Sequence, residues 1–74
     1  MRRSFYTYLM TLRNAESVEP EAEFANNAFY DHSFPKQEQN YEKISEYLEL
    51  NANYLPSMSI FDEVFEKYKE NDKK

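Results

Sequence analysis

The sequence predicts an all-α single domain of four helices, with room for a short extra turn between Asn51 and Ser57. Three observations carry that expectation. Pro20, Pro35 and Pro56 cut the 74 residues into four pieces, and proline is tolerated at helix starts but not in helix interiors. Apolar residues recur at helical spacing within each piece, and no alternating strand pattern, internal repeat or low-complexity tract interrupts them. Hydrophobic residues make up 41% of the chain and include 7 tyrosines and 6 phenylalanines. Each such ring can bury about 150–250 Å², so the chain is expected to fold despite its acidity.

The first helix is expected from Ser4, a good N-cap, to Arg13, with Asn14 placed where a left-handed C-terminal residue is wanted. Phe5, Tyr6, Tyr8, Leu9, Met10 and Leu12 cover a wider arc than the stripe of an ordinary surface helix. This helix is therefore expected to be central or to carry an extra contact face. The second, from Pro20 to Ser33, opens with Glu19, Glu21 and Glu23 at the positive end of its dipole. Phe24, Ala25, Ala28 and Phe29 form its apolar face, Tyr30 falls on the other side, and the helix must stop by Phe34 because Pro35 follows.

Asn40 is the expected N-cap of a third helix, Tyr41 to Leu50, with Tyr41, Ile44, Tyr47 and Leu48 as its buried stripe. The last helix, from Ser57 or Ser59 to Lys69, has the cleanest amphipathic pattern: Met58, Ile60, Phe61, Val64, Phe65 and Tyr68 share one face. Glu63 and Lys67 are spaced for an i,i+4 ion pair. The expected core is Phe5, Leu9, Leu12, Phe24, Ala28, Ile44, Leu48, Phe61, Val64 and Phe65. The domain is expected to span residues 1–70, with a frayed tail from Asn71 to Lys74.

Composition excludes several chemistries. The chain has no cysteine and no glycine, so it offers no disulfide, thiolate metal site or cysteine nucleophile, and no glycine-built phosphate loop. At this length apolar burial and chain entropy nearly cancel, and modest stability is expected. A net charge of −5 works against a phosphate backbone. Arg2-Arg3-Ser4-Phe5 superficially resembles a twin-arginine export signal, but Thr7, Thr11 and Arg13 interrupt the apolar run behind it. No stretch approaches the roughly 18 apolar residues of a membrane span.

The densest polar constellation is Asp31-His32-Ser33-Phe34-Pro35-Lys36, which holds the single histidine. Asp31 and His32 invite an acid/base or metal reading, yet adjacent helical residues point about 100° apart. The favoured expectation is a partly buried, hydrogen-bonded His32 near a helix C-terminus. Glu38, Glu42, Glu46 and Glu49 read as a solvated acidic ridge rather than a carboxylate site. Arg2, Arg3 and Arg13 with Lys67, Lys69, Lys73 and Lys74 form a candidate basic patch, partly cancelled by Glu66, Glu70 and Asp72.

Four blocks of the chain also resemble a known family: Arg3 to Met10, Glu23 to Lys36, Ile44 to Leu55 and Phe61 to Tyr68. They look like the YozE family of short proteins from low-GC Gram-positive bacteria, with the Asp31-His-Ser-Phe-Pro-Lys36 string the most specific. The resemblance implies a compact, cytoplasmic helical bundle similar to sterile-alpha-motif domains, and it assigns no catalytic residue. The resulting functional expectation is a small interaction module, not an enzyme, with no cofactor and no metal. A protein partner is expected through a surface including Tyr6, Tyr30, Asp31, His32, Phe34 and Lys36, and the chain is expected to be a monomer off the membrane. The alternative is nucleic-acid binding through the basic ends.

Overall fold

The computed structural model describes residues 3–71, in the order α1 (Phe5–Met10), α2 (Pro20–Phe29), α3 (Tyr41–Asn51) and α4 (Met58–Asn71). The described residues contain no strand. The all-helical expectation holds, and the extra turn is a single hydrogen-bonded turn in which the Leu55 amide donates to the Ala52 carbonyl at 3.1 Å.

Local chemistry explains each boundary. Ser4 caps α1, its hydroxyl oxygen accepting from the Thr7 amide at 3.2 Å. The helix ends earlier than expected because the Thr11 hydroxyl donates to the Tyr8 carbonyl at 2.6 Å, and the following amides turn to i−3 partners. Asn14 is not left-handed, since no described residue has positive φ. Instead its amide donates to the Asn26 side-chain oxygen at 3.1 Å, and the Asn26 side chain donates back to the Asn14 carbonyl at 3.0 Å. This exchange fastens the first loop to α2.

Pro20 begins α2, where its missing N–H costs nothing, with Glu21 and Glu23 in the first turn. The helix closes at Phe29 rather than continuing to Ser33: the Tyr30 and Asp31 amides turn to the i−3 carbonyls of Asn27 and Ala28, and the Asp31 side chain takes the Ser33 amide. Asn40 caps α3 by accepting from the Lys43 amide at 3.1 Å, a contact of a kind worth about 1 kcal/mol. The connector before it is fixed as well: the Glu38 carbonyl accepts from the Phe5 amide at 3.3 Å. Of the expected tail, Asn71 closes α4, and residues 72–74 lie outside the described residues.

Packing is organised around α4, which touches each of the other three helices, while α1 also meets α2. The ring of Phe5 is fully buried and sits 5.3–5.5 Å from the rings of Phe61, Phe65 and Tyr68. Such aromatic pairs add about 0.5–1.5 kcal/mol each beyond the area they bury. Ala25 and Ala28 are buried as expected, and small side chains on that face of α2 permit a close helix approach. The Tyr68 hydroxyl donates to the Arg3 carbonyl, joining the start of the described chain to the last turns of α4.

Four expectations need correction. Leu12 is only half-buried, because α1 has already ended. Phe29 is 43% exposed, its ring lying under Arg13 instead of in the core. Tyr41 is also partly exposed; its ring stacks on Phe61 at 5.3 Å while its hydroxyl donates to Asp62 at 2.5 Å. Lys67 passes over Glu63 and pairs with Glu21 of α2 at 2.7 Å.

Candidate functional site

The Asp31 to Lys36 string folds into a clasp between α2, α3 and the α3–α4 loop. One Asp31 oxygen accepts from both the Tyr47 hydroxyl at 2.6 Å and the Tyr54 hydroxyl at 2.9 Å. The other accepts from the Ser33 amide at 3.1 Å, the geometry of an Asx turn. Phe34, which follows, is 3% exposed and packs between the rings of Tyr6 at 5.3 Å and Tyr47 at 5.8 Å. Lys36 closes the loop, donating to the His32 carbonyl at 3.2 Å with its ammonium 5.5 Å from the Tyr6 ring centre.

The electrostatics follow from this wiring. Burial pushes the Asp31 carboxyl up, but the hydroxyls of Tyr47 and Tyr54, the Ser33 amide and the Lys36 charge outweigh it, so Asp31 lies below its ordinary value. Burial and the Asp31 carboxylate raise Tyr47 to about 12 and raise Tyr54 further. Asp31 is therefore an anion and both tyrosines are neutral donors at neutral pH.

This geometry corrects the sequence reading at two residues. Phe34 is core, not partner-binding surface, because the turn around Asp31 folds its ring inward. His32 is exposed and not partly buried: α2 ends before reaching it, so its helical-wheel position does not apply. Its ring makes no hydrogen bond among the described residues, and Asp31 gives its oxygens to tyrosines rather than to the imidazole. No three acidic or histidine side chains converge as a metal site among the described residues. Tyr6 is half-buried, while Tyr30, His32 and Lys36 remain accessible.

The expected basic patch is only partly assembled. Arg2, Lys73 and Lys74 lie outside the described residues. Lys67 pairs with Glu21, and Lys69 pairs with Glu66 at 3.2 Å. Arg13 behaves differently: its guanidinium lies 4.0 Å from the Phe29 ring centre. Phe29 in turn meets Tyr30 edge-on at 5.1 Å, and Tyr30 is 74% exposed. Arg13, Asn14, Ala15, Asn26, Phe29 and Tyr30 together line a surface cleft of about 420 Å³.

Sequence reasoning singled out Tyr30 but missed this assembly and the role of Tyr54. A Tyr-Asp pairing across 23 residues leaves no local signal. The Arg13–Phe29 contact leaves no clear one either, since the sequence places Phe29 on the apolar face of a helix expected to run on to Ser33. Among the described residues, no helix is long and apolar enough to cross a membrane.

Comparison with known proteins places this architecture. The UPF0346 protein of Lactobacillus johnsonii is 64% identical over 70 residues, covering 95% of this chain and 93% of the relative. That of Latilactobacillus sakei is 60% identical over 72 residues, covering 97% of each. The solution NMR structure of the UPF0346 protein yozE from Bacillus subtilis superposes with a TM-score of 0.82 at 48% identity, over 92% of this chain and 83% of that one. None of these names states an activity. A family model described as the YozE SAM-like fold matches residues 4–70, and the chain belongs to that family.

Proposed function

We propose that this domain is a non-enzymatic cytoplasmic module that binds another protein through the face where α2 ends. The observation that carries this reading is the ordered, exposed group of Arg13, Phe29 and Tyr30 beside the cleft. Arginine and aromatic rings dominate the binding energy of protein interfaces. Holding them in place before the partner arrives lowers the entropic cost of association. The Asp31 clasp fits the same reading, because its carboxylate is committed to holding three segments together rather than to substrate chemistry.

The test is affinity capture from native cytosol with the wild-type chain and with Phe29→Ser/Tyr30→Ser, each with and without nuclease. A nuclease-resistant protein retained by wild type and lost by the double variant supports the proposal. Recovery of nuclease-sensitive material alone would favour binding of nucleic acid through the basic ends.

A further inference from the structure

We infer that the cleft at the end of α2 takes a short acidic peptide segment, with a carboxylate on Arg13 and a neighbouring apolar side chain against Phe29 and Tyr30. This inference rests on the interaction-module reading and adds the chemistry of the partner. Among the described residues Arg13 is the only charged one lining the cleft, whose other walls are Asn14, Ala15, Asn26, Phe29 and Tyr30. On a chain of net charge −5, this is a local positive site with no acidic side chain among its described lining residues.

Arg13 and Tyr30 also have bonding capacity to spare. The Arg13 guanidinium carbon lies 4.0 Å from the Phe29 ring centre, and the side chain makes no ion pair or side-chain hydrogen bond among the described residues. A cation–π contact takes up none of the guanidinium N–H donors as hydrogen bonds, so they remain for a carboxylate, which arginine can bind by two parallel bonds. The Tyr30 hydroxyl likewise has no partner among the described residues. The Asn14–Asn26 exchange ties the loop wall to the helix wall, so the cleft is preformed.

Its size suits one or two side chains. A nucleic-acid backbone needs several cations in a row to gain from counterion release, and this cleft supplies one. The observations therefore favour a peptide carboxylate over a run of phosphates.

The test is selection of a random 12-residue peptide display library on the immobilised full chain, followed by fluorescence titration of the recovered peptides. Arg13→Gln and Tyr30→Ala are titrated beside wild type, after circular dichroism melts have shown both to be folded. The expected peptides carry Asp or Glu next to an aromatic or aliphatic residue. Arg13→Gln should weaken their binding about tenfold or more, as loss of a charged hydrogen-bonded pair does. Amide shifts of the wild-type chain should move at Asn14, Asn26, Phe29 and Tyr30.

Peptides without acidic residues, or peptides that bind Arg13→Gln as well as wild type, would overturn the inference. If those peptides still required Tyr30, the interaction face would stand and only the acidic chemistry would fall. Recovery of no peptide dependent on either residue would overturn both. Arg13-dependent binding of a single-stranded 12-nucleotide probe more tightly than any peptide would also overturn the inference, and would assign the cleft to nucleic acid.

Discussion

Replacing Asp31 by Ala removes the single acceptor oxygen shared by the Tyr47 and Tyr54 hydroxyls. Both hydroxyls are part-buried, and each would be left seeking water at the edge of the core. A hydrogen bond to a charged group contributes about 1.5–3 kcal/mol. Asp31 is only half-buried, so the low end applies, and the two bonds together contribute about 2–3 kcal/mol. A domain of this length has about 4–11 kcal/mol in total, and the loss should lower Tm by roughly 10–20 °C. Asp31→Asn, which keeps an acceptor but not the charge, should cost about half as much.

The assay is thermal unfolding followed by circular dichroism, repeated in a Tyr47→Phe/Tyr54→Phe background where Asp31→Ala should cost far less. The pH dependence has a fixed direction. The folded Asp31 pKa lies below its ordinary 3.8, so the carboxylate's contribution is present above that value and is lost as pH falls through the folded pKa. Wild type and Asp31→Asn should therefore converge in acid. Tyr47 is raised from 10.0 to about 12, so its contribution is present below 10.0 and is lost as pH rises towards about 12. A Tm for Asp31→Ala within about 2 °C of wild type, or an equal cost in the phenylalanine background, would refute the clasp.

Phe5→Ala removes the ring on which Phe24, Phe61, Phe65 and Tyr68 converge. It should cost about 3–5 kcal/mol, leaving a chain that shows a collapsed denaturation midpoint or no cooperative transition in urea. His32→Ala should leave stability within about 0.5 kcal/mol of wild type by the same titration, because the exposed ring bonds to nothing described.

Much of the fold was legible because it is written in short-range chemistry. Ser4 and Asn40 are capping residues at the positions where α1 and α3 begin, and the stripe from Phe61 to Tyr68 is the buried face of α4. Misread features depend on residues far apart in the chain. Lys67 had a suitable partner four residues away in Glu63, yet tertiary packing presents Glu21, 46 residues distant, at 2.7 Å. The end of α2 falls earlier than the sequence predicts because Pro35 marks only the last permissible residue, while the chain already turns at Tyr30 and Asp31, where the Asp31 side chain takes the Ser33 amide as well as the Tyr47 and Tyr54 hydroxyls. The sequence offers Phe34 as an aromatic surface anchor beside Tyr30, and nothing local reveals that Tyr6 and Tyr47 enclose it.

The bond from Tyr68 to the Arg3 carbonyl spans 65 residues, and it bears on how the chain is made. Six residues of α1 cannot hold a helix alone in water, since nucleation is costly and isolated helices shorter than about 12 residues are marginal. The surface that shelters α1 includes Phe61, Phe65 and Tyr68 of α4, which are synthesised after it. The first helix therefore waits, unfolded, for the last one. No early fragment can mature ahead of the rest, and a nascent chain stalled before Tyr68 presents Phe5 and Leu9 to chaperones and proteases instead of to a core.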